Sequence, residues 1–406
     1  MTLSNFPDAE PTLTLDFLKS KKLDPRITFR RESDASPPVP SPGTGTHNGT
    51  VSLYPGNVPR LTDKGLLIEA SRTNVAIWSS DLTQWNTDST STIDPNVVTA
   101  PDGTLTADKV VPDNGVADRN TSLNVTTTAD VYTVSFYIKP EGITEVRLRM
   151  QDILTDGKIT LTGDGTLDFD APDIVDSDIT LVSGGWYYVW ASYNAPDLGK
   201  RYSFRNPDQA GTADSIGYSV WGFQVELGSF PTSHIPTSGA EVTRAQDICQ
   251  ITGDDFSSWY NQSEGTVVLE GQLTDFDSGV KNQQLVHFGG TPSSNRMRFH
   301  IRPGLILQAE GSVSTQAGQQ FQFDLNVPAK KMIMAYKANN TNAGSDGVVG
   351  TTNTTTPIPT VNGCYIGANN VNEPDSRLLR GYYSKLTYYP TRVPDDALEA
   401  LTTQQT

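Results

Sequence analysis

Two stretches of this chain place apolar side chains at every second position. Tyr132, Val134, Phe136 and Ile138 alternate with Thr133 and Ser135 in the first stretch, and Trp221, Phe223, Val225 and Leu227 alternate with Gln224 and Glu226 in the second. A period of two is that of a β-strand with one buried face. Because no comparable amphipathic helix occurs between residues 75 and 245, the pattern predicts an antiparallel β-sandwich rather than an α/β fold.

A second block of strand-like sequence occupies residues 265–390. Its apolar and aromatic runs lie at 266–270, 285–288, 297–301, 332–336, 364–367 and 382–389. Short strands at this spacing are typical of a second sandwich. Pro394 and Asp395 then open a segment in which Leu398 and Leu401 are three residues apart, which predicts a short C-terminal helix over 394–401. The predicted fold is all-β, with two tandem antiparallel sandwiches.

Residues 1–74 differ in composition from the rest of the chain. The Pro- and Gly-rich segment 36–45 sustains neither helix nor sheet. It separates short strand-like pieces at 15–18, 27–31 and 65–69, which have too little apolar surface for a core of their own. We interpret residues 1–74 as an extended arm whose strands pair with another domain or another subunit. The predicted division is an arm (1–74), a first sandwich (75–247) and a second sandwich (248–406).

The charge of the chain excludes several kinds of partner. Its 406 residues contain 30 Lys and Arg against 46 Asp and Glu, which gives a net charge of −16. No run of basic residues exceeds two. The sequence therefore lacks the basic cluster that binding to nucleic acid or to an anionic membrane requires. Residues 1–14 have neither a basic nor an apolar leader region, and no stretch of 18 apolar residues occurs. The sequence predicts no signal peptide and no membrane span.

The residue types that carry most enzyme chemistry are scarce. Cys249 and Cys364 form no zinc or disulfide pattern, and we predict two small buried residues, with an interdomain disulfide as the alternative. The four histidines, His47, His234, His287 and His300, show no metal-ligand spacing. No nucleophile elbow, P-loop or dinucleotide motif occurs. We predict that the chain is not an enzyme and needs no cofactor; a polysaccharide depolymerase, which requires only two carboxylates, is the alternative.

Three groups of side chains are candidate sites. Carboxylates in turns make Asp156, Asp164, Asp168 and Asp170 candidates for structural calcium, against the alternative of solvated hairpin turns. Aromatic rings that could stack on sugars are Trp78, Trp85, Trp259 and Tyr260. Basic residues of the arm that could dock on an acidic surface are Arg26, Arg30, Arg31 and Arg72, with ion pairing to the adjoining sandwich as the alternative.

The order of motifs along the chain resembles that of a known protein family. The motifs are LDF at 15–17, DPRITFRR at 24–31, GLLIEASRTN at 65–74, WGFQVELGSFPTSHIPT at 221–237 and TRA at 243–245. They resemble a set of bacteriophage virion proteins that includes fibres, tail proteins and head appendages. That set usually has Arg-Ala-Ser where this chain has Arg31, Glu32 and Ser33.

The resemblance implies both a fold and a role. The sandwich at 75–247 resembles a carbohydrate-binding-module jelly roll, and the sandwich at 248–406 resembles a concanavalin A or laminin G domain. The implied function is that of a structural component of the virion, anchored by its N-terminal arm and adhering to host-cell glycans. The implied partners are other virion proteins and identical subunits, with a homotrimer favoured. A depolymerase and a capsid cement protein are the alternatives.

Overall fold

The structure is a computed structural model that describes residues 10–20, 22–35, 51–87, 91–112, 120–196, 199–205, 216–276, 283–291, 294–302, 306–313, 320–325, 329–368 and 379–403. The chain divides into two compact units. Unit 1 comprises Met1–Glu32, Gly56–Ser71 and Ala245–Thr406, and unit 2 comprises Ser33–Pro55 and Arg72–Arg244. Each unit is therefore assembled from segments that are far apart in the sequence.

The strands are numbered along the chain. Unit 1 begins with β1 (Leu13–Asp16), β2 (Thr28–Arg30), β3 (Arg60–Thr62) and β4 (Gly65–Glu69). Unit 2 contains β5 (Arg72–Asn74), β6 (Asn86–Thr87), β7 (Ser91–Val98), β8 (Ala107–Pro112), β9 (Asn120–Val125), β10 (Asp130–Glu141), β11 (Glu145–Met150), β12 (Leu154–Thr160), β13 (Thr166–Asp168), β14 (Ile174–Leu181), β15 (Tyr187–Ala195), β16 (Lys200–Arg205), β17 (Gly217–Leu227) and β18 (Val242–Arg244).

Unit 1 resumes after residue 244. Its remaining strands are β19 (Ile248–Thr252), β20 (Glu264–Phe276), β21 (Gln283–Gly289), β22 (Arg296–Arg302), β23 (Ile306–Ser312), β24 (Gln320–Leu325), β25 (Lys331–Lys337), β26 (Asn342–Ser345), β27 (Val348–Val349), β28 (Gly363–Ile366) and β29 (Leu379–Tyr389). Two short helices accompany them, α1 (Gly253–Ser257) and α2 (Asp395–Thr402).

Unit 1 is an antiparallel sandwich. One sheet has eight strands in the order β27-β26-β25-β20-β29-β4-β3, with β1 also paired to β29, and the other has seven in the order β2-β19-β28-β21-β22-β23-β24. Side chains from both sheets, such as Leu269 and Met334 of the first and Phe299 and Ile366 of the second, form one buried core. Helix α2 places Ala397 and Leu398 against Val268 and Ile333, on the outer face of the eight-stranded sheet. The C-terminal helix predicted from the sequence is confirmed.

Unit 2 is another antiparallel sandwich. Its two six-stranded sheets have the orders β14-β15-β10-β17-β8-β7 and β13-β12-β11-β16-β9-β6. The alternating residues predicted to be buried, among them Val134, Phe136, Phe223 and Val225, lie in the core between the sheets. The predicted all-β fold with tandem sandwiches is confirmed. The prediction of one buried face is wrong for β10 and β17, because the polar side chains of their second face, such as Thr133 and Glu226, are buried as well. In β17, Trp221 packs on that second face against Tyr137, and Leu227 is exposed.

The division of the chain differs from the predicted segments 1–74, 75–247 and 248–406. Strands β1 to β4, which belong to the predicted arm, pair within unit 1: Leu15 lies opposite Leu386 of β29, and Phe29 opposite Cys249 of β19. Residues 33–35 and 51–55 belong instead to unit 2. The arm strands thus complete the sheets of this chain's own second sandwich, whose open edges hydrogen-bond them. The centre of the Pro-rich segment, 36–50, lies outside the described residues.

Candidate functional site

The four arginines predicted to anchor the chain lie in different environments. Arg26 forms a two-pronged ion pair with Asp24, in which its Nε and Nη2 atoms each donate across 2.8 Å. This hydrogen bonding lowers the pKa of the Asp24 carboxyl. Arg30 pairs with Glu32 on the surface. Arg31 and Arg72 are buried and paired with carboxylates of their own unit, as the ion-pairing alternative predicted. Docking of Arg26 and Arg30 on an acidic surface stays a prediction.

Arg31 belongs to a buried charge network in unit 1. Its Nη1 atom donates to Asp247 across 3.2 Å, and the guanidinium of Arg60 contacts both Asp247 and Glu69. Burial alone would lower the pKa of Arg60, but these two carboxylates outweigh it and raise the pKa. The network joins β3, β4 and the segment before β19, so residues from the predicted arm are fixed to the second half of the chain. Its role is structural.

The motif residues of unit 2 form a second buried network. Asn74 donates from Nδ2 to the backbone oxygens of Phe223 and Ile235, across 3.3 and 2.9 Å, and its Oδ1 accepts from Val225. Glu226 accepts from the backbone and hydroxyl of Thr232 across 2.7 and 2.6 Å. These bonds hold segment 229–237 against β17. The residues that carry the family resemblance at 72–74 and 221–237 are therefore explained by local architecture.

The predicted calcium ligands are not gathered into a binding site. Asp156, Asp164, Asp168 and Asp170 are all exposed in unit 2. Asp156 pairs with Arg147 across 3.2 Å, and Asp168 lies opposite Lys158 in the β12–β13 ladder. Among the residues that the structure describes, no group of three or more His, Cys, Asp or Glu side chains could hold a metal ion. The geometry matches the alternative of solvated turns.

The predicted sugar-stacking aromatics are packing residues. Trp85 is buried in the core of unit 2, where its ring meets Phe223 at a centroid distance of 4.9 Å, and Trp78 packs at the edge of that core. In unit 1, Trp259 is buried against Tyr388, and Tyr260 stacks on Phe256 at 4.5 Å. Trp85 and Trp259 are buried, whereas Trp78 and Tyr260 are half-buried. Their aromatic character is used for core packing.

A row of polar side chains crosses the seven-stranded sheet of unit 1 on the face opposite its core. The ladder registers place Thr28, Gln250, Tyr365, His287, Arg298, Glu310 and Gln322 side by side, one from each strand. We call these seven residues the polar row. Its middle members, His287, Arg298 and Glu310, are buried, whereas Gln250 and Tyr365 are half-buried and Gln322 is exposed. The outer face of an antiparallel sheet usually carries charged side chains that are exposed to solvent, whereas the charges in the middle of this row are buried.

Two glycines shape the surface beside Tyr365. A Cβ atom at Gly363 would lie 3.0 Å from the Tyr365 hydroxyl, and one at Gly289 would lie 2.7 Å from Nε2 of His287 and 3.4 Å from the Tyr365 ring. The absence of side chains at these positions lets both rings lie along the sheet, with their centroids 6.0 Å apart. Tyr365 thus forms a half-exposed aromatic platform next to charged neighbours. No local pattern in the sequence marks Tyr365, because only the strand register places it beside His287.

Glu310 is the charged centre of the polar row. Its carboxylate accepts from Arg298 across 2.9 Å and from Arg296 across 3.1 Å, and Nε2 of His300 lies 3.2 Å away. Burial would raise the pKa of Glu310, but His300 and Arg298 outweigh it and hold the pKa well below its usual range. Burial lowers the pKa of His300. Glu310 is therefore a fixed anion that orients its neighbours.

Three buried carboxyl groups with shifted pKa values, Asp108, Glu226 and Glu310, are engaged by neighbouring protein groups. A glycosidase needs one carboxylic acid whose pKa is raised, next to a second carboxylate. Glu310 is shifted in the opposite direction. Burial raises the pKa of Asp108 and of Glu226, but Asp108 accepts from the backbone of Leu82 and Asn96, and Glu226 is engaged with Thr232. The absence of enzymatic activity stays a prediction.

The two cysteines are free and buried. They lie on adjacent strands, since Cys249 is opposite Ile366 and Cys364 is opposite Ile251. Burial raises the pKa of both thiols, so they are unreactive core residues, as predicted. No helix in the described part of the chain is long and apolar enough to cross a membrane.

Comparison with known proteins finds distant structural similarity and no sequence relative. No protein-family model matches the chain, and no curated protein matches it. Three similar solved structures are the CBM40 module of Ruminococcus gnavus IT-sialidase bound to α2,3-sialyllactose, the tandem CBM22 modules of Paenibacillus barcinonensis Xyn10C, and domains LG4-5 of the mouse laminin α1 chain.

The extent of these matches varies. The CBM40 match has 14% identity over 36% of this chain and 84% of the other, with a TM-score of 0.29. The CBM22 tandem has 10% identity over 79% and 97%, with a TM-score of 0.25. The laminin domains have 10% identity over 67% and 85%, with a TM-score of 0.22. The chain is thus distantly similar to carbohydrate-binding modules and laminin G domains, and its sandwich assignment rests on its own sheet topology.

Proposed function

We propose that this chain is a structural subunit of a bacteriophage virion that adheres to glycans of the host-cell surface. Its place in a fibre, tail or head appendage is supported by the motif order at 15–31, 65–74 and 221–245. The observation that carries glycan adhesion is the half-exposed Tyr365 ring within the polar row of unit 1. Virion location and assembly with other virion proteins and with identical subunits, as a trimer, are part of the proposal.

The chemistry of the polar row suits a sugar. The face of an aromatic ring stacks on the C–H groups of a pyranose, and amide, guanidinium and carboxylate groups hydrogen-bond to its hydroxyls. Tyr365 supplies the ring, and the half-buried Gln250 lies beside it on β19. Gln322 is an exposed amide on β24, four strands away from Tyr365 at the far end of the row. The buried charges between them, Arg298 and Glu310, are held rigid by each other. Such prior fixing reduces the entropy lost when a ligand binds.

The experiment is a binding measurement of the full-length chain with purified host surface polysaccharide. We expect saturable binding that falls about tenfold or more in Tyr365→Ala and falls less in Gln322→Ala. Gln272→Ala is the matched control, because Gln272 is an exposed glutamine on β20 of the opposite sheet. Binding that is unchanged in Tyr365→Ala would remove the polar row from the proposal.

The same incubation distinguishes adhesion from catalysis. Release of oligosaccharides from the host polysaccharide would contradict the proposal and support a depolymerase. A cement protein, in contrast, would show no binding to host polysaccharide, and its deletion would reduce particle stability. Light scattering of the full-length chain tests the trimer, for which a mass of three times 44.1 kDa is expected.

A further inference from the structure

Four arginines cluster on the outer face of one sheet of unit 2. They are Arg147 and Arg149 of β11 and Arg201 and Arg205 of β16, and we call them the arginine face. Arg147 lies opposite Arg205, Arg149 lies opposite Ser203, and the backbone of Gln151 donates to that of Arg201 across 3.0 Å. The alternate residues of the same strands, Val146, Leu148, Met150, Tyr202 and Phe204, are buried in the core. The arginines therefore all point away from the core.

This cluster is unusual for such an acidic chain. The chain carries a net charge of −16, yet two adjacent six-residue strands contribute four guanidinium groups to one face. Arg147 and Arg205 stand directly opposite each other in the β11–β16 ladder. Nothing in the core beneath requires arginine at these positions.

The carboxylates nearby neutralise only part of the arginine face. Glu145 and Asp156 pair with Arg147, across 2.8 and 3.2 Å. Arg149 is half-exposed and Arg201 is exposed, and neither has an ion pair or side-chain hydrogen bond with any residue that the structure describes. The register places Arg201 two residues from the partner of Arg149, so the two are diagonal neighbours, roughly 7 Å apart at the sheet.

The floor between these arginines is made of small polar residues. Ser203 lies opposite Ser122 of β9, and both are nearly inaccessible, with exposures of 3% and 4%. Asn124, which is exposed, lies opposite Arg201. The surface thus offers two guanidinium forks and an exposed carboxamide beside them. Carboxylate and sulfate groups match the guanidinium forks, and sugar hydroxyls match the carboxamide of Asn124.

We propose that the arginine face binds an acidic polysaccharide through its carboxylate or sulfate groups. A protein partner fits less well, because specific protein interfaces are centred on apolar or aromatic anchors. None of the large apolar residues that are exposed in the described part of the chain lies on β9, β11 or β16. The proposal goes beyond adhesion at the polar row, since it concerns another unit and another class of ligand.

The test is affinity electrophoresis of the full-length chain in gels containing polygalacturonate, dextran sulfate or neutral dextran. We expect retardation by at least one acidic polymer and none by neutral dextran; the polymer that retards more strongly identifies carboxylate or sulfate as the preferred group. The double variant Arg149→Gln/Arg201→Gln is expected to weaken binding at least about tenfold. Arg149→Lys/Arg201→Lys, which keeps the charge and loses the forks, is expected to bind with intermediate strength.

The control variant removes the same charge elsewhere. Arg30→Gln/Lys337→Gln also changes the net charge by two, at exposed residues of unit 1, and is expected to bind like the native chain. Equal weakening in both double variants, or equal retardation by duplex DNA, would show a general charge effect and overturn the proposal. So would the absence of retardation by both acidic polymers. Loss of host-polysaccharide binding in Tyr365→Ala tests adhesion at the polar row of unit 1. The arginine variants test the arginine face of unit 2, so failure of one proposal can be distinguished from failure of the other.

Discussion

The guanidinium of Arg72 lies with its Nε 3.5 Å from a carboxylate oxygen of Glu226, and both side chains are buried in unit 2. The same guanidinium also stacks over the ring of Phe230, 4.9 Å from its centroid. The pair connects the first strand of unit 2 with β17 and with the segment that follows it. An arginine that the sequence analysis assigned to docking is thus part of the interior of its own sandwich.

Arg72→Met is expected to destabilise unit 2 by about 3–5 kcal/mol, because it leaves the Glu226 carboxylate buried without its cation. Urea denaturation measures the change. The double variant Arg72→Met/Glu226→Gln is expected to recover part of the loss, since it removes the unpaired charge. Arg30→Met is the control, because Arg30 is exposed and pairs on the surface with the exposed Glu32. A loss of under 1 kcal/mol in Arg72→Met would contradict a structural role for the pair.

Acidification is expected to weaken unit 2 through His234. This side chain is buried against Trp221, and burial lowers its pKa from 6.5 to about 4; Asp102 acts weakly in the opposite direction. The unfolded chain therefore binds the proton first, and stability falls as the pH drops from 6.5 towards 4, by about 3 kcal/mol in total. His234→Phe should flatten this dependence in melting curves recorded between pH 7 and 4. An unchanged slope would refute the assignment.

Unit 1 has its own acid-sensitive group in Glu310. The pKa of this carboxyl lies below its usual value of 4.5, because His300 and Arg298 outweigh the effect of burial. Its contribution to stability is complete above pH 4.5 and is lost as the pH falls below that value. Glu310→Gln should lower stability at pH 7 by about 3–5 kcal/mol and reduce the further loss on acidification. Denaturation at pH 7 and pH 3 provides the comparison, with the exposed Asp324→Asn as control.

The N-terminal strands are expected to be necessary for the fold of unit 1. Leu15 is 2% exposed, and it lies opposite Leu386 in the β1–β29 ladder. Leu15→Ala should cost about 2–5 kcal/mol, the range for a buried leucine. Leu18→Ala, at a residue that is 47% exposed, should change stability by less than about 0.5 kcal/mol. Equal effects of the two substitutions in thermal melting would mean that β1 is detached from the sheet in solution.

Local patterns in the sequence predicted the secondary structure and the buried faces. Tyr132, Val134 and Phe136 alternate because every second side chain of a strand meets the core, and that rule needs no knowledge of partner strands. The C-terminal helix was predicted from Pro394, Asp395 and the leucine spacing, which act within one or two turns. The burial of Cys249 and Cys364 followed from residue type and the strand pattern around them.

The sites could not be predicted in this way, because they depend on register. Trp259 has the residue type of a sugar-binding ring, but packing against Tyr388 buries it. Tyr365 became a candidate only when pairing of β28 with β21 placed it next to His287. Likewise, Arg147 and Arg205 are 58 positions apart and meet only through the β11–β16 ladder. Pairing between distant strands is set by how all strands share one core, which no local pattern contains.

The sequence by itself determined that this chain is all-β, which faces of its strands are apolar, and where its last helix forms, because these properties depend on side-chain spacing within a few residues. Only the tertiary structure decided that β1 to β4 complete the sheets of unit 1 and that Arg31 reaches Asp247. The physical reason is that short strands have too little surface to fold alone. Short strands therefore pair with a sheet edge that the rest of the folded chain leaves open. The position of that edge then determines which carboxylates lie next to their arginines.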